Sequence, residues 1–103
     1  MTLTELNGFG LPAFIATVGK AFEHSPWVAQ RAYAWQPFAS VDALHRAMME
    51  VVSAASAQEK LALVRAYPEL SNTAEADIEH GLEQIGRISR ARLDAMFALR
   101  ANR

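Results

Sequence analysis

Three histidines are the side chains in this chain best suited to move a proton at neutral pH, since an unperturbed imidazole titrates near 6.5. His24 lies in Phe22-Glu23-His24-Ser25-Pro26-Trp27, His45 follows Leu44, and His80 sits among Glu79 and Glu83. Their spacing gives no His-x-x-x-His pair that would put two imidazoles on one helix face, so no metal centre is expected. His24 reads as a cation at a helix C-terminus, where the dipole favours it. His45 reads as the edge of a buried stripe. Asp77, Glu79 and Glu83 read as a solvated helix face. There is no cysteine, which excludes disulfides, thiol nucleophiles and thiolate metal sites. Neither a glycine-rich phosphate loop nor a Gly-x-Ser-x-Gly elbow occurs. Tyr67, in Tyr67-Pro68-Glu69-Leu70, ends a helical stretch. Its phenol, with an ordinary pKa near 10, stays protonated at neutral pH and can donate a hydrogen bond. The aromatic group Trp27, Tyr33 and Trp35 reads as core rather than as a ligand platform.

The elements that would carry these residues are all helical. Pro12 suits a first helical turn, and Phe14, Ile15, Val18 and Phe22 follow as an apolar stripe. Ser25-Pro26 predicts a second start, by hydroxyl cap and proline at N1, with an end near Gln36 because Pro37 disfavours helix before it. Ser40 caps a third helix whose Val41, Leu44, Met48, Val51 and Ala55 recur at steps of three and four. Ser56 and Glu59 form a capping box for a fourth, stopped by Pro68. The last helix, capped by Asn72 or Thr73, puts Ile78, Leu82, Ile85, Leu93 and Met96 on one face. It gathers Arg87, Arg90, Arg92 and Arg100 toward its C-terminal end. If continuous from Thr73 to Ala101 it is about 40 Å long. The expected fold class is all-α: one domain of about five helices with a long C-terminal helix.

The net charge is −1, which argues against a nucleic-acid partner, since such proteins carry a basic excess. No apolar run approaches the roughly 20 residues that cross a bilayer. The first residues lack a basic segment followed by an apolar run, so no signal peptide is expected. A cytoplasmic protein without a membrane partner is the expectation.

The stretch AFEHSPWVAQRAYAWQPFASVDALHRAMMEVVSAAS, residues 21–56, goes further than composition. With Glu-His-Ser-Pro-Trp-Val-Ala at 23–29 and Phe-x-Ser-x-x-x-Leu-x-x-Ala-Met at 38–48, it resembles the N-terminal half of the bacterial 2-oxo-4-hydroxy-4-carboxy-5-ureidoimidazoline (OHCU) decarboxylases. Residues 72–96, NTAEADIEHGLEQIGRISRARLDAM, resemble the family's last helix. The resemblance implies a single helical domain, residues 1–70 being similar to the family's first half and 72–103 to its last helix. The two blocks abut between Leu70 and Asn72. The family's Ser-x-x-Glu-Gln element, with a second catalytic carboxylate, and its Phe-Gly-x-Pro-Phe segment are not found.

Family members act late in urate breakdown and yield (S)-allantoin by a decarboxylation that needs no metal or organic cofactor. Where they carry His-Pro-Asp/Glu-Leu, this chain has Tyr67-Pro68-Glu69-Leu70. The resemblance therefore puts Tyr67 in the catalytic position and Pro68 on the substrate pocket, with Glu69 matching the motif. A small ureidoimidazoline substrate is implied. Tyrosine in place of histidine, with the second carboxylate gone, implies impaired turnover. The rival reading is a non-catalytic helical scaffold or oligomerising module. A homodimer or larger assembly is expected, with Leu63, Leu93, Phe97 or Leu99 left exposed as its interface.

Overall fold

A computed structural model describes residues 2–101, with side chains described for 2–97. Six α-helices are formed, and among the described residues there is no strand. They are α1 (Leu3–Asn7), α2 (Leu11–Val18), α3 (Pro26–Ala32), α4 (Val41–Ala54), α5 (Ala57–Arg65) and α6 (Ile78–Ala101). Tight 3₁₀ turns at Gly19–Ala21 and Tyr33–Trp35 extend α2 and α3, and others occupy Pro68–Leu70 and Glu75–Asp77. The all-α class and the long last helix stand as expected. The additional element is α1, where Thr2 and Glu5 form a reciprocal capping box. Its five residues are too few to show a period.

Most start signals act through the predicted atoms. Ser40 Oγ accepts from Ala43 N–H at 3.0 Å, and Ser56 and Glu59 close the capping box of α5. Ser25 does not cap α3. Its hydroxyl donates instead to the Glu23 carbonyl at 2.9 Å. Neither Asn72 nor Thr73 caps α6, because the turn at Glu75–Asp77 leads into it.

The core is built where α2, α3 and α4 pack in sequence and α6 crosses α4, α5 and the Gly19–Ala21 turn. Phe14, Val18, Leu44, Met48, Leu63, Ile85 and Leu93 are fully buried. Phe14 meets the Tyr33 ring edge-on at 5.3 Å and stacks on Phe38 at 6.0 Å. Asn7 exchanges two hydrogen bonds with the Phe38 backbone, which anchors α1 to the turn before α4. At Gly81 the α6 backbone runs so close to α5 that a Cβ would stand 2.9 Å from Val64 Cγ1.

The expected exposure of Leu63 and Leu93 is overturned: α5 and the Gly19–Ala21 turn close over α6, so both are at 0%. Phe97 is partly buried against the core, and Leu99 and Arg100 lie outside the described side chains. Trp35 departs in the other direction. Trp27 and Tyr33 pack against the core, but Trp35 is 55% exposed, because the 3₁₀ turn that ends α3 rotates it away.

Candidate functional site

Pro68 disfavours helical backbone in the residue before it. Tyr67 accordingly leaves α5 in an extended conformation, φ −87° and ψ 123°. The turn carries its ring inward rather than along the helix surface, and the side chain ends 1% exposed. There the phenol oxygen accepts a hydrogen bond from Glu23 N–H at 3.3 Å.

Glu23 belongs to the corner between the Gly19–Ala21 turn and α3. The next residue, His24, has φ +47°, in the left-handed region that costs a non-glycine residue energy. That reversal holds the Glu23 amide toward Tyr67 while the imidazole faces solvent, 81% exposed and 4.0 Å from the Glu23 carboxylate. His24 is therefore a corner residue and not the helix-terminal cation expected. The Glu23 carboxylate pairs with Arg92 of α6 at 3.0 Å. The same guanidinium donates to the Lys20 carbonyl at 3.4 Å and stands 5.7 Å from the Tyr67 ring centroid, a cation–π arrangement. Three distant segments thus meet at one phenol.

Burial pushes the Tyr67 phenol above its ordinary range; the Glu23 N–H and the Arg92 charge pull it back down. The group stays protonated at neutral pH. Chemically, the knot offers a fixed phenol and a guanidinium suited to a carboxylate. Its only imidazole is that of His24, turned to solvent. Beside it lies an open groove of about 400 Å³ lined by Ile15, Lys20, Phe22, Glu23, His24 and Ser25. Tyr67 forms no part of that lining. Pro68 and Glu69 are exposed, outside the knot. Glu23 and Arg92 were not found from the sequence as site residues: they are far apart in it, and Arg92 read as a dipole-compensating cation.

The other histidines lie elsewhere. His45 Nε2 is 3.0 Å from Ser89 Oγ, and Ser89 donates to the Gly86 carbonyl. The imidazole is then the donor to Ser89. Burial and the Arg90 charge hold it below the usual histidine range. Ser89 is wholly buried, so this pair ties α4 to α6 and offers no nucleophile. His80 is exposed and bonds Gln84. Among the described residues no three His, Asp or Glu side chains gather as a metal site, and no helix is long and apolar enough to cross a membrane.

A family model described as OHCU decarboxylase matches residues 7–85. The chain belongs to the OHCU decarboxylase family. It is 42% identical over 84 residues to a 2-oxo-4-hydroxy-4-carboxy-5-ureidoimidazoline decarboxylase of Halalkalicoccus jeotgali, covering 82% of this chain and 48% of the relative. It is 36% identical over 103 residues to the protein of that name from Haloferax volcanii, covering 96% and 61%. A Bacillus subtilis uric acid degradation bifunctional protein, PucL, is 39% identical over 69 residues, 67% of this chain and 14% of that protein. The chain spans less than two thirds of the length of these relatives. No solved structure matches it. The family match takes in Glu23 and the Tyr67-Pro68-Glu69-Leu70 motif, and Arg92 falls beyond it. The Haloferax match covers nearly the whole chain in 103 aligned positions, so it runs through residues 70–72 with no room for a long gap.

Proposed function

We infer that this chain is a decarboxylase-like protein of urate breakdown, with a ureidoimidazoline of the kind its relatives' names specify as its ligand, and with turnover well below that of a histidine-bearing family member. The observation that supports this reading is the Tyr67 knot: at the position that the resemblance makes catalytic stands a buried, protonated phenol beside a guanidinium.

The reaction removes a carboxylate from a carbon that also bears a hydroxyl, next to an electron-accepting ring group. The C–C bond breaks, CO₂ leaves, and the electron pair is taken up by the ring system until a proton is delivered to one face. Arg92 is suited to hold the departing carboxylate by charge-assisted hydrogen bonds. Tyr67 can donate its O–H to the developing negative charge but cannot readily cycle as acid and base. Loss of one positioned proton carrier costs about 10²–10⁴ in rate.

The test is turnover of freshly generated substrate, followed as (S)-allantoin by circular dichroism. The expected result is no measurable acceleration above the uncatalysed rate. A rate comparable with ordinary family enzymes would refute the assignment of an impaired site. Binding without turnover, seen by calorimetry with allantoin, separates a retained pocket from the rival reading of a scaffold that binds nothing.

A further inference from the structure

Where α4, α5 and α6 meet lies a cleft of about 260 Å³, and none of the residues of the Tyr67 knot lines it. Two close backbone approaches frame it. At Gly81, α6 runs so near α5 that a Cβ would stand 2.9 Å from Val64. At Gly86 it nears α4, where a Cβ would meet the end of Met49 at 3.4 Å. Leu82 and Glu83 fall between these approaches and line the hollow left at the three-helix junction. Its floor is apolar. Val52 and Leu82 are buried, and the Met49 thioether beside them can adapt to different shapes.

The rim carries both signs of charge. Glu79 and Glu83 lie one turn apart on α6, and Lys60 comes from α5. Two carboxylates at that spacing repel each other. Among the described residues no ion pair joins Lys60 to either of them: Glu83 reaches Arg87 at 3.7 Å, and Glu79 reaches no cation. Opposite charges therefore stand around one apolar floor, farther apart than a direct ion pair.

We propose that this cleft binds a small zwitterion with an apolar body, of the α-amino acid class. The ligand carboxylate lies on Lys60, its ammonium lies between Glu79 and Glu83, and its side chain covers Val52, Leu82 and Met49. Such a ligand relieves the repulsion between the two glutamates and gives Lys60 a partner in one step. A simple anion would meet two carboxylates. A metal ion would meet the Lys60 ammonium, and among the described residues no three His, Asp or Glu side chains gather to hold one. The rim groups stand largely in water, where each charged contact is screened, so a dissociation constant of about 1 mM is expected.

Titration of the full chain at pH 7 with L-leucine, followed by backbone amide NMR shifts, reads the site directly. Saturable shifts confined to residues around Val52, Lys60 and Leu82 are expected. Two fragments of the probe test its two charges. 4-Methylpentanoate lacks the ammonium and 3-methylbutylamine lacks the carboxylate, and each should bind at least about fivefold more weakly than leucine. Lys60→Met should weaken leucine by a similar factor yet leave 3-methylbutylamine no weaker, because the amine makes no use of Lys60. Glu79→Gln should weaken leucine and the amine but not 4-methylpentanoate. Both variants lie on the rim, so helical circular dichroism should be unchanged. The absence of saturable shifts up to about 100 mM overturns the proposal. A fragment that binds as tightly as leucine, or leucine binding indifferent to both variants, overturns it as well.

Discussion

Changing Tyr67 to histidine would put an imidazole at the position that the resemblance makes catalytic, and we expect it to cost stability without conferring turnover. The tyrosine ring is 1% exposed and its oxygen is the acceptor for Glu23 N–H at 3.3 Å. Tyr67→Phe keeps the ring and removes that acceptor, which should cost about 1 kcal/mol. Tyr67→His also gives up ring volume in a packed site and should cost about 2–3 kcal/mol in all. In a domain of this size that lowers Tm by roughly 10 °C or more. The new imidazole would be buried beside Arg92, both of which favour its neutral form. The substitution supplies no second proton-transferring group, and catalytic groups that act as a unit are strongly non-additive. Urea melts of the three proteins give the stability series, and (S)-allantoin formation gives the activity. If Tyr67→His melts with wild-type stability, the packing argument is wrong. Robust (S)-allantoin production by it would mean that a single imidazole at position 67 suffices for turnover.

Gly81→Ala should destabilise by about 1–3 kcal/mol despite its gain in helix propensity, because the new methyl meets Val64 at 2.9 Å. Gly86→Ala, whose Cβ meets only the flexible end of Met49 at 3.4 Å, should be neutral or mildly stabilising in the same thermal melts. His45 has its pKa lowered in the folded chain by burial and Arg90. Below about pH 6.5 the unfolded chain takes up a proton that the folded one resists, so stability should decline as pH falls through that range. His45→Gln should flatten that part of the stability–pH curve. Glu59 is held down to about 2, first by the Arg31 hydrogen bonds and then by the Ser56 backbone. Its contribution is complete above the ordinary carboxyl range and should be lost as pH falls toward 2; a Glu59→Gln chain with an unchanged acid limb would contradict this.

Helix starts were legible because they depend on residues three or four apart. Ser40, Ser56 with Glu59, and Pro26 are each read from a single turn of chain, and the α4 stripe of Leu44, Met48 and Val51 repeats often enough to fix its buried face. What the sequence withheld was decided by contacts across the fold. Ser25 looks like any N-cap, yet the reversed backbone at His24 puts the Glu23 carbonyl within reach of its hydroxyl, and the bond goes there. Trp35 belongs to an aromatic group that composition assigns to the core, and only the turn ending α3 shows that one of the three faces water. Leu93 gives the converse case, since its burial depends on the Gly19–Ala21 turn lying across α6.

The candidate site divides along the same line. Tyr67 was legible as a position because a motif of four adjacent residues marks it. Its environment was not, because Glu23 lies 44 residues away and Arg92 approaches from the opposite end of the chain. That environment changes what the substitution means. A histidine that carries protons must exchange them with substrate, which needs a face open to the pocket. The phenol here instead takes a backbone N–H as its donor and packs among the largest fully buried side chains. Turning it outward would strip the Glu23 amide of its partner and expose a ring that is now 1% accessible. Proton transfer at position 67 and burial of residue 67 are therefore competing demands. In this chain the second is met, so a proton carrier at position 67 would require a repacking of the corner at Glu23 and of the α6 face that carries Arg92.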